Sequence, residues 1–235
     1  MTRQRRAELA DNLARVRERI EQAARTAGRD PDEITLVVVT KTYPAADLDL
    51  LADLGVQHVG ENRHPEAADK HAQVAGVHPL VWHFVGGLQT NKAAAVARYA
   101  DVVESVDRLA LVTALSTAAL RAGRELDCLV QVDLELEQRE VRSGCRPDEV
   151  PAMAEAVAEA EGLRLGGLMA LAPLGAEPRP AFERLAHVAA HLRTEHPDAG
   201  VLSAGMSGDL EAGVEVGATH VRIGRAVLGE RGRSR

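Results

Sequence analysis

Leu9, Leu13, Val16, Ile20 and Ala24 recur at spacings of three and four, with arginines and glutamates between them. That pattern predicts an amphipathic helix over 3–27. Gly28 is placed to cap it, and Asp30-Pro31 opens a loop. Beyond the loop, short apolar or β-branched runs alternate with helical segments. The runs fall at 35–40, 57–60, 81–85, 102–106, 127–133, 164–171, 201–204 and 220–224. The helical segments between them are expected at 45–54, 65–74, 91–99, 108–122, 147–161, 179–195 and 208–216, with a last one at 225–230. Alternating strands and helices argue for a parallel sheet, and runs apolar on both faces suit strands covered on both sides. Eight such runs point to a (β/α)8 TIM-type barrel, an α/β fold, with an extra N-terminal helix. An open doubly wound sheet satisfies the same periodicity. No composition shift or long linker divides the chain, so 1–235 reads as one domain.

A barrel would gather its chemistry at the C-terminal strand ends. Strand one then ends in Thr40-Lys41-Thr42-Tyr43-Pro44 and strand two in Gly60-Glu61-Asn62. Strand three carries Trp82-His83-Phe84, and strand four ends in Glu104-Ser105-Val106-Asp107. Strand seven leads into Gly205-Met206-Ser207-Gly208-Asp209, and strand eight carries Arg222-Ile223-Gly224-Arg225.

Composition narrows the chemistry. Five aromatic rings in 235 residues leave too little for stacking on single-stranded nucleic acid, and a net charge of −7 disfavours a phosphate-backbone binder. No apolar run approaches the roughly 18 residues of a membrane span. The charged N-terminus has no apolar stretch behind it, and two cysteines, Cys128 and Cys145, form no metal spacing or disulfide framework. A cytoplasmic protein is expected, monomeric, without nucleic acid, membrane or metal. His187 and His191 lie four apart, but no third ligand is near in sequence, and they read as surface histidines.

Of 28 basic residues only three are lysines: Lys41, Lys70 and Lys92. Arginine cannot form a Schiff base, so a lysine retained in an arginine-rich chain draws attention. Lys41 follows Leu-Val-Val-Val and would rise from a buried strand into the mouth. A partly desolvated lysine there could attack an aldehyde. The Gly205–Gly208 turn offers a hydroxyl and backbone N–H groups at a helix start, and Gly224 makes a second turn on the next strand. Together they read as a phosphate cradle. A lysine and a phosphate site facing one aldehyde-bearing ligand is how pyridoxal phosphate is held. A Schiff-base aldolase acting on a sugar phosphate would use the same parts.

Several segments resemble those of the pyridoxal 5′-phosphate homeostasis proteins (the YggS/PROSC family). They are Val-Val-Val-Thr-Lys-Thr-Tyr-Pro at 37–44, Gly-Glu-Asn at 60–62, Trp-His-Phe-Val-Gly-Gly-Leu-Gln-Thr-Asn-Lys at 82–92 and Glu-Ser-Val-Asp at 104–107. Gly-Leu-Met-Ala at 167–170, Leu-Ser-Ala-Gly-Met-Ser-Gly-Asp at 202–209 and Val-Arg-Ile-Gly at 221–224 complete the set. That family is similar to the barrel domain of alanine racemase. The resemblance implies that Lys41 is a Schiff-base lysine, and that the Met206–Ser207 turn and the Gly224–Arg225 backbone meet the phosphate. It further implies that Arg222 faces the pyridine nitrogen and that Asn62 and His83 line the cofactor. Arg225 stands where the family usually has Thr or Ser, so a hydroxyl contact is lost.

The function this implies is reversible binding of pyridoxal phosphate for vitamin B6 homeostasis, without turnover, with apo-enzymes as recipients of the cofactor. The competing class is a pyridoxal-phosphate-dependent amino-acid racemase, which needs a second base opposite the lysine. Tyr43 and Tyr99 are the only tyrosines, and Tyr99 is expected late in the 91–99 helix, away from the mouth.

Overall fold

A computed structural model of the chain describes residues 2–74, 76–135 and 143–229. Eight parallel strands form a closed barrel: β1 (Thr35–Val39), β2 (His58–Glu61), β3 (Val81–Phe84), β4 (Val102–Val106), β5 (Leu126–Val132), β6 (Leu163–Ala170), β7 (Val201–Ser203) and β8 (His220–Ile223). Each strand pairs with the next, and β8 closes on β1 with Val37 opposite Arg222 and Val38 opposite Ile223. Closure excludes the open doubly wound sheet.

Around the barrel lie α1 (Thr2–Thr26), α2 (Ala45–Asp53), α3 (His64–Val74), α4 (Ala93–Val96), α5 (Leu109–Ala122), α6 (Val150–Ala158), α7 (Pro178–Glu195), α8 (Leu210–Glu215) and α9 (Arg225–Leu228). Two helical segments begin as 3-10 turns, and a third, 208–216, is trimmed to α8 at Leu210–Glu215. The 91–99 segment becomes a 3-10 turn at Thr90–Lys92 followed by α4, and the 147–161 segment becomes a 3-10 turn at Pro147–Glu149 followed by α6. For the first, Asp101 must reach β3: its N–H donates to the Trp82 carbonyl at 2.9 Å, and its carboxylate accepts the Trp82 N–H at 2.8 Å. The helix therefore ends early enough for the chain to turn back. Residue 230, the end of the last expected helix, lies outside the described residues.

α8 and α9 are too short to cover the strands beside them, and α1 fills the gap. Its apolar stripe, Leu9, Leu13, Val16 and Ile20, is buried in one cluster with Val38, Val221, Val214 and Val227. Burying a leucine or isoleucine fully is worth about 1.5–3 kcal/mol, so this stripe accounts for the helix's attachment. Polar ties fix its register: Asn12 donates to the Val227 carbonyl at 2.8 Å, Arg5 pairs with Asp47 at 2.7 Å and Arg19 with Glu211 at 2.8 Å.

Strand alternation divides the core in two. Val59 and Val38 face the helical jacket, whereas His58 and His83 on neighbouring strands meet across the interior. Near the N-terminal end the interior is apolar, with Val81, Val102, Leu129, Met169 and Val201 in one cluster. Two residues further along β3, β4 and β7 stand His83, Glu104 and Ser203, all buried. The upper interior is therefore polar, and the C-terminal mouth opens above it.

Candidate functional site

Three adjacent strands supply the expected ligand-holding groups. β1 ends at Val39, and Lys41 lies two residues beyond it at the rim, partly exposed. β8 carries Arg222 and leads through Gly224 into α9. β7 leads into the 204–209 turn, which the Arg222 backbone N–H grips by donating to the Gly205 carbonyl at 2.9 Å.

That turn closes on itself. Asp209 accepts the Met206 N–H on its carboxylate at 2.5 Å and donates its own N–H to the Met206 carbonyl at 3.1 Å. Gly205 sits at φ +95°, where a side chain would be strained. Among the described residues, the N–H groups of Ser207 and Gly208 have no acceptor, so both are open to an anion. Met206 is exposed, Ser207 is partly exposed, and Arg225 is exposed on the first turn of α9. A Cβ on Gly224 would lie 3.3 Å from the Val39 carbonyl, so this glycine lets the ends of β8 and β1 approach closely.

Arg222 is buried, and its guanidinium reaches the ends of two further strands. It donates to Ser203 Oγ at 2.7 Å and to the Ala170 carbonyl at 2.8 Å. Its countercharge is Glu104, 3.7 Å away and wholly buried. Burial alone would push the Glu104 carboxyl up. His83, Arg222 and Ser203 outweigh that and hold it at about 2, so it is ionised at neutral pH. Burial pulls Arg222 down, and Glu104 and Asp209 oppose that pull.

The network continues across the barrel. His83 Nδ1 donates to Glu104 Oε1 at 2.7 Å, and His83 Nε2 shares a hydrogen bond with His58 Nδ1 at 3.0 Å. The His220 ring lies 6.0 Å from that of His83 and 6.3 Å from that of His58. Burial, with the neighbouring histidines, drives His220 down to about 4 and His58 down as well. Both ring nitrogens of His83 are thus committed inside the barrel. It can line the mouth with its ring, but its nitrogens are not available to a ligand.

Asn62 leaves β2 at the rim, and its Oδ1 is buried without a partner among the described residues. The β3 loop packs tightly on it: a Cβ on Gly86 would come within 2.5 Å of Asn62 Cβ. The tyrosines lie elsewhere. Tyr43 donates its hydroxyl to the Gly229 carbonyl at 2.7 Å. Tyr99 follows α4 rather than lying in it, and its ring stacks on His64 at 6.0 Å, so it packs against α3. Lys92 is exposed, and the described residues contain no cluster suited to a metal ion.

The sequence reading gave no role to His58, His220 or Ser203, and none to Glu104 beyond its motif. The usable signal was parity: His58 and His83 each stand at inward positions of their strands, and a glutamate sits at such a position in β4. A second cluster, the buried Glu61 and Lys70 with the partly exposed Glu66, was also missed. Its members are spread over a strand and a helix, and only the fold brings them together.

The family model of the alanine racemase N-terminal domain matches residues 12–232, which take in the whole barrel from β1 to β8. Pyridoxal phosphate homeostasis proteins from Escherichia coli (strain K12) and Mycobacterium tuberculosis (strain H37Rv) are similar along nearly the whole length. The first is 41% identical over 229 residues, covering 95% of this chain and 97% of the relative; the second is 42% identical over 246 residues, covering 97% and 94%. PipY from Synechococcus elongatus PCC7942, solved with PLP bound, superposes with a TM-score of 0.82 at 32% identity, covering 94% of this chain and all of that one. The chain belongs to the pyridoxal phosphate homeostasis protein family.

Proposed function

We propose that this protein binds pyridoxal 5′-phosphate reversibly, through a Schiff base to Lys41, and serves intracellular vitamin B6 homeostasis without turnover of its own. The observation that carries the reading is the convergence of Lys41, Arg222 and the 205–208 turn on β1, β8 and β7, three neighbouring strands, at one mouth. The donor set fits the cofactor. The two open N–H groups and the Ser207 hydroxyl suit a phosphate, helped by the Gly224–Arg225 backbone and the Arg225 guanidinium. The unpartnered Asn62 Oδ1 offers an acceptor at the rim. Bound there, the cofactor would supply an aldehyde and an electron-accepting ring.

Two features favour holding over catalysis. If the ring nitrogen of the bound cofactor met Arg222, that permanent cation would disfavour protonation there and leave the ring a weaker electron sink. Racemisation also needs a second base opposite Lys41. Tyr43 is engaged by the Gly229 carbonyl and Tyr99 packs against α3, so neither is poised for that role. The exposed rim around Lys41, Met206 and Arg225 suits exchange with an apo-enzyme. Two buried free thiols, Cys128 and Cys145, agree with a reducing compartment, the cytoplasm. The family names the relatives carry support the same role. The test is a transfer assay: loaded protein mixed with an apo-enzyme should activate it faster than the cofactor is released into buffer. Activation no faster than release would remove the carrier role.

A further inference from the structure

Behind the rim lysine lies a buried charged cluster that the proposed cofactor chemistry does not use. Lys70, on α3, is 5% exposed. Its ammonium donates to the Thr40 carbonyl at 2.8 Å, to Glu61 Oε1 at 2.8 Å and to Glu66 Oε1 at 2.6 Å. Three donors meet three acceptors, so the ammonium is fully satisfied. Glu61 Oε1 also accepts the Thr40 hydroxyl at 2.6 Å. Glu66 in turn accepts the backbone N–H of Thr42.

These bonds fall on the two residues that flank Lys41. Thr40 is held by its hydroxyl and its carbonyl, and Thr42 by its N–H. Thr42 is also the one non-glycine among the described residues with positive φ, at +70°. A β-branched residue avoids that conformation, and it persists only where its surroundings enforce it. Thr42 is the third residue of a turn closed by the Tyr43 N–H donating to the Thr40 carbonyl at 3.1 Å, and Glu66, itself fixed by Lys70, holds that turn at the Thr42 N–H. The chain must leave β1, present one side chain at the mouth and turn at once into Pro44 and α2. A backbone kinked at 42 and anchored at 40 does this.

We propose that Lys70, with Glu61 and Glu66, is a positioning device for Lys41: from α3 it clamps residues 40 and 42 and so fixes the direction in which the intervening lysine meets an aldehyde. The proposal rests on the reading of Lys41 as the Schiff-base residue. It separates two parts of binding. Pocket contacts to ring and phosphate need no clamp, whereas bond formation at Lys41 does. Lys70 therefore acts through Lys41 and is not itself a catalytic residue.

The test uses two ligands on the full-length protein. Pyridoxal phosphate carries the aldehyde. Pyridoxine 5′-phosphate carries an alcohol in its place and cannot form the bond, so its affinity reports the pocket alone. Lys70→Met and Glu66→Ala should each weaken pyridoxal phosphate about tenfold or more, the scale of one lost charge-assisted hydrogen bond, and slow its reaction with Lys41. Pyridoxine phosphate affinity should stay unchanged. Glu66→Gln keeps an acceptor for the Thr42 N–H and should restore most of the loss. Equal losses for both ligands, or none for either, would overturn the clamp. Glu66 is partly exposed, so Glu66→Ala keeps the test valid if Lys70→Met does not fold. Lys41→Ala is the control for the underlying reading. It should abolish the preference for the aldehyde. If it does while the clamp variants keep that preference, the positioning role fails and the Schiff-base reading stands. If Lys41→Ala keeps the preference, the Schiff-base reading fails first.

Discussion

His220 makes the barrel interior acid-sensitive, and the size of the effect follows from its surroundings. Burial, His83, His58 and Arg222 all disfavour its protonated form, and Glu104 opposes them; the balance brings it from 6.5 to about 4. The Thr219 hydroxyl, 3.0 Å from Nδ1, completes its surroundings. A base with a lowered pKa in the folded state binds its proton more readily unfolded. Stability is therefore intact above 6.5 and lost as pH falls from 6.5 towards 4. A group moving between these two values costs about 2 kcal/mol between pH 8 and pH 5 and about 3 kcal/mol below pH 4. His58 is shifted in the same direction and adds to the loss. Replacing His220 by glutamine removes the titration while keeping a polar partner for Thr219. Urea unfolding at pH 8 and pH 5 should show the unmodified protein losing about 2 kcal/mol more than His220→Gln. Glu104 contributes little in this range, because its stabilisation is lost between 4.5 and about 2. The same pH dependence in both proteins would refute the reasoning, since His220 would then titrate alike folded and unfolded.

Glu104→Gln removes the countercharge of a buried guanidinium and should destabilise the fold by about 3–5 kcal/mol, read as a lowered urea midpoint; a loss below 1 kcal/mol would mean that Ser203 and Ala170 suffice to hold Arg222. Ser207→Ala should weaken pyridoxal phosphate by about 0.5–1.5 kcal/mol and leave unphosphorylated pyridoxal nearly unaffected, measured by titration. Equal losses would reduce Ser207 to a turn residue. Loaded protein incubated with L-alanine in deuterium oxide should form no D-isomer at turnover rates by chiral chromatography. Sustained D-alanine formation that is lost in Lys41→Ala would replace holding by racemase chemistry.

The strands were legible because each is a short apolar run, and all eight observed strands fall within about a residue of the expected bounds. α1 and α7 were legible through long apolar stripes. α4 was not, because an alanine-rich run has helix propensity wherever it lies, and the Asp101–Trp82 bonds that end it connect residues distant in sequence. Lys41, Arg222 and the 205–208 turn could be read from position relative to strand ends. His58, Glu104, Ser203 and His220 could not be joined into a network, because each comes from a different strand and only closure brings them together. The clamp on Thr40 and Thr42 was hidden for the same reason: Lys70 stands out as one of three lysines, but its partners on β1 and β2 appear only when α3 is docked.

Lys41, and no other lysine, should bond the cofactor. The chain offers only three candidates, so chemical trapping decides among them. Protein loaded with pyridoxal phosphate, reduced with borohydride, digested and mapped by mass spectrometry should carry the pyridoxyl group on the peptide containing Lys41. The label on Lys70 or Lys92 instead, or on none of the three, would contradict the account.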